Sequence, residues 1–171
     1  MALTYKLIAS STVGSGGAAS FDFTSIPSTY TDLLVKVSAR TIDTVSDSDP
    51  LVIRLNGATT NLSARALYGS GSAALSLTRA SNSNTAWTDT SLNTASTFGN
   101  AEWYLPNYAG GSNKSISLDS VQENNATAAI AAISAILWSN TAAINQITIL
   151  SGNGYNLAQH STAYLYGIKN S

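Results

Sequence analysis

The chain contains no cysteine, one histidine and three prolines, and only eight basic and nine acidic residues among its 171. The absence of cysteine excludes disulfides and thiolate metal sites. A net charge of −1 with no basic stripe argues against a phosphate-backbone partner, so no nucleic acid is expected. Hydrophobic residues still make up 44% of the sequence, and a chain of this kind is expected to fold rather than stay disordered.

Long apolar runs are also missing. The longest run, residues 128–138, is shorter than the roughly 20 residues that a helix needs to cross a bilayer. The opening residues MALTYKLIAS lack a basic leader followed by an apolar stretch. We therefore expect a soluble protein with no membrane partner, formed as one domain over residues 1–171.

What the chain has in place of charge is serine, threonine and asparagine, which supply 60 of its residues. These predict a neutral surface rich in hydroxyl and amide groups. Weak charge repulsion between copies suits a protein held in many copies in a fixed assembly.

The segment 21–40 has the clearest pattern in the sequence. Phe21 and Phe23 alternate with polar residues, and Pro27 then interrupts the pattern because it lacks an amide hydrogen. The next residues alternate again, with Lys36 and Arg40 on one face. The pattern predicts a strand, a corner and a second strand, whose buried face carries Leu33, Val35, Val37 and Ala39.

Similar alternation recurs along the chain and predicts about ten short strands. After residues 51–55, the dipeptide Asn56-Gly57 suits a hairpin turn, with 59–68 as the return strand. Further strands are predicted at 5–9, 101–105, 115–123, 132–139 and 162–168. The spacing, the long polar loops and the lack of a helical period predict an all-β fold, an antiparallel, jelly-roll-like β-sandwich with its first and last strands close together.

Metal binding is not expected from the few candidate ligands. His160 has no second histidine or cysteine to accompany it, so a loop or interface role is favoured over zinc binding. Asp43, Asp47 and Asp49 lie close together in TIDTVSDSDP, but this stretch lacks the central glycine and distal glutamate of a calcium loop. It is interpreted as a solvated acidic loop.

Catalysis is not expected either, and no cofactor is predicted. Serines are abundant, yet no Gly-x-Ser-x-Gly motif accompanies His160. Glu102 lies beside Trp103 and Tyr104, an arrangement compatible with sugar stacking and glycoside cleavage. A strand edge with an interface aromatic explains it equally well.

Six segments together resemble a group of small virion structural proteins of tailed bacteriophages. They are YKLIASSTV, SIPSTYTDLLVKVSAR, RALYGSGS, LPNYAG, LWSNTAAINQITIL and STAYLYGIKN. The resemblance implies a β-sandwich mounted on a virion, either as a capsid cement (decoration) protein or as part of a tail fibre. It supplies no catalytic motif.

The function expected from this resemblance is that of a non-enzymatic capsid cement protein, a homotrimer that binds across subunits of the major capsid protein. The capsid is favoured over the tail because no coiled coil, repeat or attachment segment is visible. The candidate subunit contacts are Lys36, Arg40, Trp103 and Tyr104, and Arg40→Ala is expected to leave the fold intact.

Two other functions remain open at this point. The first is a tail-fibre or tail-tip module that binds a host-surface glycan through its loops. The second is a polysaccharide hydrolase that would lose activity on Glu102→Gln substitution.

Overall fold

A computed structural model describes residues 4–80, 83, 85–125 and 129–169, which form twelve strands and no helix. In chain order the strands are β1 (Tyr5–Thr12), β2 (Ser20–Phe23), β3 (Asp32–Ala39), β4 (Asp49–Leu55), β5 (Leu62–Gly69), β6 (Ala74–Arg79), β7 (Ala86–Thr88), β8 (Gly99–Leu105), β9 (Lys114–Gln122), β10 (Ile130–Trp138), β11 (Ile147–Ser151) and β12 (Thr162–Ile168). The same residues contain no helix long and apolar enough to cross a membrane.

The strands form two antiparallel sheets. The larger has the order β1-β12-β3-β8-β9-β10-β5-β6, and the smaller has the order β2-β11-β4-β7. Eight of the strands make a jelly roll, in which β1-β12-β3-β8 faces β2-β11-β4-β7 and the chain passes repeatedly from one sheet to the other. The predicted all-β sandwich is confirmed, and the first and last strands are direct neighbours.

The other four strands are two insertions in this jelly roll. The pair β5 and β6 comes between β4 and β7 in the sequence, and the pair β9 and β10 comes between β8 and β11. Both pairs join the larger sheet beyond β8, in the order β9-β10-β5-β6. They form an extension that widens the larger sheet from four strands to eight.

The core lies between the sheets and confirms the pattern predicted for residues 21–40. The strands β2 and β3 belong to different sheets, so the corner around Pro27 carries the chain from one to the other. Phe21 is fully buried, as is Val35 on the facing sheet. The four residues predicted to share the inner face of β3 are all buried: Leu33, Val35, Val37 and Ala39.

The hairpin predicted at Asn56-Gly57 is wrong. Both residues have positive φ, 51° and 72°, as the dipeptide favours. However, β4 pairs with β11 and β7, whereas β5 pairs with β10 and β6. The Asn56 side chain explains the turn, because its Nδ2 donates to the Ala143 carbonyl at 2.8 Å and its Oδ1 accepts from the Asn145 amide at 2.9 Å. These bonds fasten the turn to the loop before β11 while the chain crosses to the other sheet.

The acidic loop is also not solvated as predicted. Asp47 is exposed, but Asp43 and Asp49 are fully buried. Asp43 Oδ1 accepts the Val45 amide at 2.7 Å, and Asp49 Oδ2 accepts the Ser151 hydroxyl at 2.7 Å. Buried carboxylates of this kind are tolerated because hydrogen bonds offset part of the cost of removing them from water.

Asp49→Asn is expected to stabilise the protein at pH 8 more than at pH 4.5. Burial raises the pKa of Asp49, and the charge of Asp43 raises it further, against the opposing hydrogen bond from Ser151. When the pKa of a carboxyl group is higher in the folded than in the unfolded protein, the group stabilises the fold fully only below its unfolded pKa of about 3.9. This stabilisation is lost as the pH rises through the pKa of the folded protein. Asparagine keeps an acceptor for the Ser151 hydroxyl and does not ionise, so the variant does not lose this stability as the pH rises. Urea unfolding at both pH values measures the difference.

The matched control is Asp47→Asn, which neutralises an exposed carboxylate two residues away. It is expected to leave stability nearly unchanged at both pH values. An equal effect of Asp49→Asn at pH 4.5 and pH 8 would show that the buried charge of Asp49 does not limit stability.

Candidate functional site

Trp103, one of the four predicted contact residues, is a core residue. It lies on the inner face of β8 and is 0% exposed. Its cross-strand neighbours in the sheet are Val35 on β3 and Leu118 on β9, which are also buried. A side chain enclosed in this way cannot touch another subunit, so its assignment as a contact residue is wrong.

Arg40 is the second correction, because it is 8% exposed and holds a loop of its own chain. Its Nη1 donates to the carbonyls of Thr94 at 2.8 Å and Thr97 at 3.0 Å, and its Nη2 donates to the carbonyl of Asn93 at 3.0 Å. These acceptors belong to the loop between β7 and β8. The planar guanidinium therefore organises the loop from inside, and it is not available to a partner.

Lys36 and Tyr104 do lie on the surface, and the fold places both on the outer face of the larger sheet. Lys36 Nζ is 2.6 Å from Glu102 Oε2, and the hydrogen bond to Glu102 raises the pKa of Lys36. The Tyr104 hydroxyl donates to Asp32 Oδ2 at 2.7 Å, and this bond raises the pKa of Tyr104. Both side chains are thus held in defined positions while remaining accessible.

Two tyrosines of β12 lie beside them. Tyr164 is directly opposite Lys36, which is opposite Glu102. The Tyr164 and Tyr166 rings are 6.5 Å apart between centroids, with an angle of 27° between their planes. We call the depression over β12, β3 and β8 the tyrosine groove; its principal lining residues are Lys36, Asn100, Glu102, Tyr164 and Tyr166.

The outer face of the extension has a different character. Ile133 is 62% exposed on β10 and lies opposite Leu67 of β5, which is 56% exposed. We call this surface the apolar patch; its members are Leu67, Val121, Ala131, Ile133 and Ala135. Two exposed charged side chains lie among these residues, because Asp119 on β9 is directly opposite Ile133 and Arg65 on β5 is directly opposite Ala135. Large apolar side chains exposed next to charged ones give a surface that another protein can cover.

Sequence reasoning missed the apolar patch, although a signal for it was present. The strand β10 has apolar residues on both faces, with Ile136 inward and Ile133 outward. In an antiparallel sheet with one solvent-exposed face, the residues on that face are normally polar. A strand that breaks this rule exposes apolar side chains on its outer face. Only the strand order shows that Leu67 and Val121 lie next to Ile133 on that face.

The two residues considered for catalysis, His160 and Glu102, lie in separate elements of the fold. His160 is exposed in the turn before β12, with φ at 73°. Glu102 is paired with Lys36. Across the described ranges, no group of three or more histidine, cysteine, aspartate or glutamate side chains is placed to hold a metal ion.

Comparison of the chain with protein-family models, curated proteins and solved structures finds no match in any of the three.

Proposed function

We propose that the protein is a non-enzymatic structural protein of a bacteriophage virion, a capsid cement protein that binds the assembled shell across subunits of the major capsid protein. The observation that carries the proposal is the apolar patch, where Ile133 and Leu67 are each more than half exposed. Exposed side chains of this size are costly to leave in water and become stabilising when a partner covers them. The resemblance to virion proteins supplies the kind of partner.

The size of the patch argues for binding through several copies at once. It spans three strands and about five residues along them, which corresponds to roughly 200 Å² at the usual strand spacing and rise. A stable interface between two proteins takes about 800 Å² from each partner. One patch alone would bind weakly, whereas an oligomer that presents several patches gains from simultaneous contacts. The expected homotrimer meets this need, and sedimentation of the isolated protein would test it.

Stabilisation of the shell would follow from mass action and requires no chemistry. A protein that binds the assembled shell, and not its separated subunits, shifts the equilibrium toward the shell. The near-zero charge of the chain fits this role, since neighbouring copies repel one another little.

Ile133→Asp is expected to lower the number of copies bound to each particle and the temperature of DNA release. The substitution places a carboxylate in the centre of the apolar patch, directly opposite Asp119. This carboxylate would have to lose its hydration when the patch binds the shell. Its effect on folding should be small because the side chain is exposed. Particles lacking the protein are loaded with wild type or variant, and bound protein and released DNA are measured during heating.

The matched control is Val45→Asp, which changes a side chain that is 76% exposed and outside the patch. Particles loaded with this variant should resemble those loaded with wild type. Equal DNA release from particles with and without the wild-type protein would contradict the cement function. Normal loading of Ile133→Asp would show instead that the patch is not the contact surface.

A further inference from the structure

The tyrosine groove adjoins the apolar patch, with Asp119 of β9 between Glu102 and Ile133, and is not used by the proposed cement function. Its residues come from three adjacent strands that the sequence separates widely: Tyr164 from β12, Lys36 from β3 and Glu102 from β8. Asn100 is exposed at the next outward position of β8. The fold therefore brings aromatic rings, an ammonium group, a carboxylate and an amide onto one open surface.

The aromatic side of the groove is held in place by the sheet beneath it. Leu34 points outward from β3 but is only 5% exposed, because Tyr166 and Tyr104 lie directly opposite it on either side. Tyr164 remains 38% exposed next to Tyr166. Rings that are already positioned lose little conformational freedom when a ligand covers them.

The polar side of the groove carries an ion pair between Lys36 and Glu102, with 53% and 34% of their side chains still exposed. Their remaining donor and acceptor sites point to a ligand that offers hydroxyl groups in both roles. Tyr164 beside them offers an apolar ring face.

We propose that the tyrosine groove binds carbohydrate, with a pyranose ring packed against Tyr164 and Tyr166 and its hydroxyls bonded to Lys36, Glu102 and Asn100. A sugar ring has an apolar face of C–H groups and a rim of hydroxyls, which matches this combination. The proposal goes beyond the cement function and differs from binding through loops, since the site lies on the face of the sheet.

The charge of the groove selects among sugars. Asp119 lies directly opposite Glu102, on the side away from Lys36, so this row across the sheet holds one positive charge and two negative charges. An acidic sugar or a phosphate would be repelled. The ligand class is therefore neutral sugars and amino sugars.

The dimensions fit a short oligosaccharide. Three strands and three outward positions along each cover about 10 by 14 Å at the usual strand spacing and rise. This area accommodates two or three sugar rings.

Both surfaces of the larger sheet can be occupied together. The centre of the groove, β3, is three strands from the centre of the apolar patch, β10. Neighbouring strands rotate by about 20–25° in a twisted sheet, so the two surfaces face directions that differ by roughly 60–75°. A protein bound to a shell through the patch would still present the β12 side of the groove, with Tyr164 and Tyr166, to solution.

The test uses the whole protein and three sets of probes: mannose-, galactose- and N-acetylglucosamine-terminated oligosaccharides, glucosamine oligomers, and sialylated oligosaccharides as the acidic set. We expect binding to neutral or amino-sugar probes on an array, confirmed by titration calorimetry with the tightest binder. No binding in any set overturns the proposal. Preference for the sialylated set overturns the ligand class.

Two variants locate the site. Tyr164→Ala removes the exposed ring and is expected to weaken binding about tenfold or more, which corresponds to about 1.4 kcal/mol. Tyr5→Ala removes a tyrosine that is 55% exposed on β1, outside the groove, and is expected to leave affinity unchanged. Unchanged affinity in Tyr164→Ala overturns the assignment of the site. Glycan binding and shell stabilisation are measured separately, so failure of one proposal is distinguishable from failure of the other.

Discussion

Val35→Asp is expected to yield no folded protein. Val35 is 0% exposed in the centre of β3, between Trp103 of β8 and Leu165 of β12, which are also fully buried. The substitution removes a buried apolar side chain and places an unpaired carboxylate in the core. Each change costs several kcal/mol, and together they approach the roughly 5–15 kcal/mol that stabilises a whole domain. Far-UV circular dichroism and urea unfolding measure the loss.

The control for this prediction is Ser38→Asp, which introduces the same side chain on the outward face of the same strand. Ser38 is half-buried and lies opposite Asn100 and Thr162, both polar. The free energy of unfolding of the Ser38→Asp variant should differ from that of the wild type by about 1 kcal/mol or less. If Val35→Asp folded with normal stability, the inward register of β3 would be incorrect.

Arg40→Ala is expected to destabilise the fold by about 3–5 kcal/mol, contrary to the expectation from sequence that the fold would stay intact. The substitution leaves the carbonyls of Asn93, Thr94 and Thr97 without the buried cation that bonds them. Hydrogen bonds to charged groups contribute about 1.5–3 kcal/mol each, and part of this is recovered if water enters. The midpoint of urea unfolding gives the change.

Two further variants separate the role of Arg40 from a general effect of charge. Arg65→Ala removes an exposed arginine and should change stability by about 0.5 kcal/mol or less. Arg40→Lys keeps the charge but lacks the fork that reaches three carbonyls, so it should recover only part of the loss. Normal stability of Arg40→Ala would mean that the loop between β7 and β8 is held by other contacts.

Strands whose two faces differ clearly were predictable from the sequence. The last strand was predicted with the bounds that it has, Thr162–Ile168, because its inward and outward residues alternate from Thr162 to Gly167. The strand β10 was predicted within two residues at its start, at 132 against Ile130. Residues 126–128, shortly before this strand, lie outside the described residues.

Features that depend on distant parts of the chain were not predictable. Asn56-Gly57 has the same local preference for positive φ whichever sheet receives the next strand. Asp49 looks like a loop carboxylate until β11 brings Ser151 beside it. Arg40 alternates with inward residues as a surface residue would, yet its partners come from a loop more than fifty residues further on.

The tyrosine groove illustrates the same limit for the candidate site. Alternation placed Tyr164 and Tyr166 on one face of the last strand, and Lys36 on one face of another. Only the order β12-β3-β8 makes these faces continuous. The apolar patch depends in the same way on β10 lying between β9 and β5.

The pairing of β1 with β12 has a consequence for how the chain reaches its fold. Tyr5 lies opposite Ile168, and β12 is the single neighbour of β1 among the described strands. During synthesis β1 must therefore wait without its strand partner until the residues of β12, about 150 positions further along the chain, are available to pair with it. Folds dominated by such distant pairings form slowly, in milliseconds to seconds, and a waiting strand is open to aggregation. The yield of native protein would then depend on how fast the pairing of β1 with β12 closes.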